Sequence, residues 1–221
     1  MHPSQNVIAS GGRDSAVRLW DIRTRRMIHS FSGHKDAVFS IIMQEDEPQI
    51  VSGSADRTIR VWDIASGKKI KSLTNHKKTI RSMLFHPKEY TFLSAGADNL
   101  KLWKCPEAMF LRNFDQELYS DAIKNVKSRK GFGIINTVSC DGGNILAAGT
   151  DDGYIGFWDW DSGRMFQKIK SRPQPGSISS EAGIFCSSFD KSGLRFVTGE
   201  CDKTIKIWQQ ENEEEIVEDD M

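Results

Sequence analysis

The chain is short of the features that mark the common classes of enzyme and membrane protein. No apolar run approaches the ~20 residues that a bilayer-spanning helix requires, and its first residues lack the basic and apolar blocks of a signal peptide. The four cysteines, Cys105, Cys140, Cys186 and Cys201, are widely spaced and form no C-x-x-C pair. They lack the ligand spacing of a metal site and read as small apolar groups in a reducing compartment. No G-x-S-x-G elbow, phosphate-binding loop or H-E-x-x-H helix occurs. Neither sign of charge prevails, with 30 basic and 30 acidic residues, yet the last eleven, ENEEEIVEDDM, hold seven acids and no base. The expectation is a mildly basic folded body over residues 1–210 and an acidic, disordered tail over 211–221.

What the chain has in abundance is self-similarity. Five segments align: VIASGGRDSAVRLWD, QIVSGSADRTIRVWD, TFLSAGADNLKLW, ILAAGTDDGYIGFWD and RFVTGECDKTIKIWQ. Each is an apolar run, a small or hydroxyl residue, a turn with Asp, and an alternating run ending on Trp. Trp20, Trp62, Trp103, Trp158 and Trp208 recur at roughly 40 to 55 residues, a period near 40–45 with two insertions. Runs such as Val7-Ile8-Ala9 are β-type and end at turn formers, and residues 58–62 alternate with period two. Ala65-Ser66-Gly67 and Asp161-Ser162-Gly163 turn the chain back into a further strand. Residues 37–41 and 79–84 supply another ahead of the unit core. The result is four short antiparallel strands per unit. A lone sheet of this kind cannot cover both faces, whereas radial stacking buries each against its neighbours, which makes the fold all-β and the units propeller blades. His2-Pro3 aligns with His86-Pro87, so the sequence enters its pattern inside a unit.

On these residues the chain resembles the WD40 family, whose blades are held by a relay of His, Asp, Ser or Thr, and Trp. Carried over by position, the second unit has His34, Ser52, Asp56 and Trp62, and the third has His76, Ser94, Asp98 and Trp103. The Asp would accept backbone and imidazole protons, the hydroxyl would bridge onward, and the indole would donate to it, so that no buried polar group is orphaned. The first unit keeps Ser10, Asp14 and Trp20. The fourth keeps Asp152 and Trp158 but has Ala148 at the hydroxyl position, and the fifth keeps Thr198, Asp202 and Trp208. None of these three has the His, which predicts looser fourth and fifth blades. Rings of this family commonly close with seven blades. The resemblance therefore implies an incomplete propeller, one partial and about four fuller blades, from the C-terminal part of a ring.

Three stretches narrow the resemblance: residues 73–81 (LTNHKKTIR), residues 174–185 with QPGS and EAGIF, and residues 202–207 (DKTIKI). They resemble the pleiotropic-regulator branch, nuclear WD40 subunits of the spliceosome's NineTeen-associated assembly. The resemblance implies a non-enzymatic scaffold in pre-mRNA splicing whose partners are proteins of that assembly. It implies no cofactor, metal, membrane or small-molecule substrate. Basic clusters such as Lys68, Lys69 and Lys71, or Lys77 and Lys78, leave snRNA phosphate as a secondary contact. No aromatic RNA-binding motif accompanies them, and solvated outer faces are the plainer account.

An insertion at about 115–131 departs from the branch. Leu118, Ala122 and Val126 recur there at helical spacing, as a docking loop or a tolerated surface insertion would allow. The turn residues Arg13, Arg57, Asn99 and Lys203 are expected to border one face near the axis as partner contacts. Asp21 and Arg23 stand in a W-D-x-R stretch that resembles the motif by which some WD40 proteins dock onto a cullin-type ubiquitin ligase adaptor, so a substrate receptor is the alternative. The aspartates recur once per unit, which is how a fold uses a residue; a catalytic acid would be singular.

Overall fold

The computed structural model describes residues 2, 5–44, 47–115, 132–178 and 181–210. The expected insertion beyond Asp115, its helical pattern at Leu118, Ala122 and Val126, and the acidic tail lie outside them. The described residues form eighteen strands in five antiparallel sheets. Sheet 1 holds β1 (Val7–Gly11), β2 (Val17–Asp21) and β3 (Arg26–Phe31). Sheet 2 holds β4 (Val38–Met43), β5 (Gln49–Ser54), β6 (Ile59–Asp63) and β7 (Lys69–Leu73). Sheet 3 holds β8 (Ile80–Phe85), β9 (Thr91–Gly96), β10 (Leu100–Lys104) and β11 (Met109–Asn113). Sheet 4 holds β12 (Ile135–Cys140), β13 (Ile145–Thr150), β14 (Tyr154–Asp159) and β15 (Met165–Lys170). Sheet 5 holds β16 (Ile184–Phe189), β17 (Arg195–Glu200) and β18 (Ile205–Gln209).

Each sheet is a meander, because successive strands are joined by short turns rich in Asp, Gly and Ser that return the chain beside itself. Within a strand, alternate residues serve opposite faces, and this alternation stacks the sheets. One face of sheet 2 offers Val51, Ile59 and Val61, which pack on Ile80, Met83, Phe92 and Trp103 of sheet 3. The next face of sheet 3, with Leu93, Leu100 and Leu102, packs on Ile135, Leu146 and Trp158 of sheet 4. Burial of each such aliphatic side chain contributes about 1.5–3 kcal/mol, so the inter-sheet layers form the core. The leading strands β4, β8, β12 and β16 contact one another in succession and line the inner side of the arc.

The register shows which faces stay open. Ile59 and Ile155 are fully covered, whereas Ile205, at the same register position in sheet 5, is 77% exposed. On the opposite side Trp20 of sheet 1 is 38% exposed, against 2% for Trp62. The five sheets therefore form an arc that does not close, an incomplete propeller.

Every leading strand carries the same irregularity. The pairing skips Phe39, Arg81, Asn136 and Phe185, each the second residue of its strand. Such a bulge leaves one residue unpaired and re-aims its side chain.

Candidate functional site

One end of each of sheets 2 to 5 carries two segments that touch: the loop before the leading strand and the turn between the next two strands. Ala55 N donates to Ala37 O, Ala97 N to Thr79 O, Asp151 N to Ile134 O and Cys201 N to Gly183 O, at 2.8 to 3.0 Å. A residue in each of these turns therefore stands at the same rim.

Beneath the rim, sheets 2 and 3 contain full relays. His34 joins Asp56 through Nδ1 at 3.0 Å and Ser52 through Nε2 at 2.8 Å, and Trp62 Nε1 donates to Ser52 Oγ at 2.8 Å. His76 joins Asp98 at 2.8 Å and Ser94 at 2.7 Å, and Trp103 Nε1 donates to Ser94 Oγ at 2.8 Å. Burial alone would raise the Asp56 carboxyl, but bonds from Lys35 N, Thr58 and His34 outweigh it and hold the group well below the usual range. Asp98 is opposed by burial in the same way and is lowered to about 2 by His76 and the Lys77 N–H. His34 is lowered by burial, against the pull of Asp56, and so stays neutral.

The other three sheets solve the same problem differently. In sheet 1, Trp20 Nε1 donates to Ser10 Oγ at 2.9 Å, and Asp14 pairs with Arg18 at the surface. In sheet 4, Trp158 Nε1 donates instead to the Asp115 carbonyl at 2.6 Å. Phe132 lies edge-on against the Trp158 ring at 4.9 Å. Asp152 is exposed and has no hydrogen bond or ion pair among the described residues. In sheet 5, Trp208 donates to Thr198 Oγ1 at 3.0 Å, and Thr198 to Glu200 at 3.1 Å. Ser171 and Lys206 complete the sheet 5 cluster at 2.7 and 2.6 Å from the Glu200 carboxylate. Asp202 accepts Thr204 and Gln174 N and is lowered to about 2 by those bonds, Thr204 first.

Glu200, Ser171, Lys206 and Gln174 were not picked out by the repeat alignment. The signal was present: Glu200 stands two residues before its turn Asp, where the other units have Gly12, Ser54, Gly96 and Thr150. Phe132 carried no such mark.

Among the rim residues, Arg57 and Lys203 occupy the left-handed turn position, with φ of 68° and 69°. Their counterparts are Ser15 at 61° and Gly153 at 79°, so Arg13 aligns with Ala55 and not with Arg57. Asn99 sits in a turn one residue shorter, from Gly96 to Leu100, and is less exposed than Arg57. Asp21 accepts from Arg23 N and Thr24 Oγ1, both at 2.9 Å. Asp63 and Asp159 close their own turns in the same way, so the fold accounts for the W-D-x-R stretch, and the Arg23 side chain is exposed.

No set of three His, Cys, Asp or Glu among the described residues has the geometry to hold a metal ion, and no helix among them is long and apolar enough to cross a membrane. Cys105 is buried, which pushes its thiol up to about 12 and leaves it unreactive.

Comparison with known proteins agrees with this geometry. Residues 1–21, 25–63, 67–104 and 174–209 match the WD40 family, described as "WD domain, G-beta repeat". The unmatched stretch contains sheet 4, whose relay is absent. The chain is 47% identical over 110 residues to Pre-mRNA-splicing factor PRP46 of Yarrowia lipolytica, covering 50% of this chain and 22% of that protein. It is 41% identical over 114 residues to the Saccharomyces cerevisiae protein of the same name, covering 52% and 22%. It is also 41% identical over 115 residues to Pleiotropic regulator 1 of Homo sapiens, covering 52% and 20%. The matched region thus spans about a fifth of each relative's length. With the family matched over more than half of its residues and the repeat built into five stacked sheets, the chain belongs to the WD40 family.

Proposed function

We propose that the chain is a non-enzymatic protein-interaction scaffold in pre-mRNA splicing, working in the nucleus as a subunit of the NineTeen-associated spliceosomal assembly. The observation that carries this reading is the similarity, over half of the chain, to proteins named as pre-mRNA-splicing factors and pleiotropic regulators. The architecture supports it, since stacked sheets hold a broad rim of loops in fixed relative positions, as a platform for several partners requires. The turn acids Asp56, Asp98 and Asp202 are engaged in holding loops, which suits a structural role better than acid–base chemistry. Residues 1–210 form the propeller unit and 211–221 a separate acidic arm, and Arg13, Arg57, Asn99 and Lys203 face partners.

Affinity purification from nuclear extract, with identification of the co-purifying proteins, tests the assignment. Recovery of spliceosomal proteins is the expected result; recovery of none would overturn it.

A further inference from the structure

The rim carries a charge pattern that changes from sheet to sheet. Over sheets 2 and 3 the exposed side chains include Lys35, Arg57, Lys77 and Lys78. The acids of those turns are directed inward: Asp56 to His34 and Lys35 N, Asp98 to His76 and Lys77 N. Asp36, on the same rim, accepts Ala37 N. Asp36 is itself exposed, so the four exposed cations face one exposed acid, and the outward field of these two sheets is positive.

Sheet 4 reverses it. With no relay to serve, Asp152 is exposed beside the equally exposed Asp151. A cleft of about 480 Å³ lies between this pair and Lys77 and Lys78, with Phe132 in its wall. Beyond it, Arg172 and Lys203 restore positive charge on sheet 5. The bulges add apolar anchors along the same inner edge, since Phe39 and Phe185 are each 55% exposed.

We propose that this rim binds an extended acidic protein segment carrying one basic side chain. Its acids lie over sheets 2 and 3, and its basic residue enters the cleft beside Asp152. This deepens the scaffold reading and rests on it. Charge complementarity selects the occupant. A uniform polyanion such as single-stranded RNA gains from the lysines but must pass Asp151 and Asp152, whereas a peptide sets its charge residue by residue. Apolar side chains of the same segment cover Phe39 and Phe185, where desolvated aromatic contacts strengthen binding.

The test uses the whole chain and three fluorescent probes: a short Asp/Glu/Ser-rich peptide with one central Arg, its Arg→Glu counterpart, and a uridine-rich single-stranded RNA. The Arg peptide binds more tightly than its counterpart by about threefold, as one exposed ion pair allows. Asp152→Asn abolishes that difference, and Lys77→Glu with Lys78→Glu weakens the Arg peptide on the order of tenfold. RNA binding tighter than the Arg peptide, or a preference that survives Asp152→Asn, would overturn the proposal. In nuclear extract the same double reversal should deplete the co-purifying splicing proteins. Recovery unaffected by the reversal overturns the peptide site and leaves the scaffold standing; recovery absent from the unaltered chain overturns the scaffold itself.

Discussion

Sheets 2 and 4 occupy equivalent places in the arc and fill the space beside their tryptophans with opposite chemistry. In sheet 2 that space is polar, with His34, Ser52 and the Arg60 guanidinium 6.0 Å from the Trp62 ring centre. In sheet 4 it is an apolar plug of Phe132, Ala148 and Gly156. A Cβ at Gly156 would stand 2.5 Å from the Trp158 ring and 2.8 Å from Phe132, so the close approach of those rings requires glycine. The units at the same position elsewhere carry Arg18, Arg60, Lys101 and Lys206. Sheet 4 regains a cation from the neighbouring strand, where Lys168 Nζ lies 5.4 Å from the Phe132 ring and 4.4 Å from Tyr154. The repeat thus fixes a volume and a tryptophan; whether polar or apolar atoms fill the volume is open, provided every buried polar group keeps a partner.

The largest effect should come from exchanging the two fillings. Gly156→Arg forces a side chain into the plug and costs about 3 kcal/mol by overpacking, whereas the reverse change Arg60→Gly costs about 1 kcal/mol. Urea denaturation of both variants measures the contrast, and equal costs would erase it. Next comes the hydroxyl. Ser94→Ala strands the His76 Nε2 atom and the Trp103 indole N–H and costs about 1–3 kcal/mol, while Ala148→Ser changes stability by less than about 1 kcal/mol because the Trp158 indole already has the Asp115 carbonyl.

The two fillings also differ in their response to acid. His34 has its folded pKa below the ordinary 6.5, so the unfolded chain takes up the proton first and stability falls as pH drops below about 6.5. Asp98 adds a second loss between about pH 4 and about pH 2, its folded value, because the unfolded carboxyl again protonates earlier. Denaturation midpoints across this range should show both steps, and His34→Gln should flatten the upper one. Hydrogen exchange sharpens the comparison further. Both faces of sheet 4 are covered, so β13 amides should exchange as slowly as those of β9, while β17 in the half-open sheet 5 exchanges about tenfold faster or more. That narrows the expectation of looseness to the fifth blade. The smallest effect belongs to Asp152→Asn, within about 0.5 kcal/mol, since no described group depends on that carboxylate.

Much of this was legible in the sequence because the repeat is a register. Ser52 and Ser94 each follow a His and precede a Trp at nearly the same intervals, so alignment alone names the relay members. Alignment is blind to substitutes that arrive from elsewhere. The Trp158 acceptor is a backbone carbonyl, which no residue type announces. Ser171 comes from the end of sheet 4 to meet Glu200 in sheet 5, a contact of the tertiary arrangement alone. Arg13 precedes its turn Asp, whereas Arg57, Asn99 and Lys203 follow theirs, a difference in turn position that residue type alone does not reveal.

The skipped residues of the leading strands make no cross-strand pair, so altering one leaves its ladder intact. Phenylalanine, arginine, asparagine and phenylalanine already occupy this one geometric position in four successive sheets. At Phe39 and Phe185, which stand open to solvent, the molecule thereby separates what keeps it upright from what distinguishes one sector of its mouth from another; Arg81 and Asn136 spend the same freedom on each other and on the Ile184 carbonyl, tying sheets 3, 4 and 5 together.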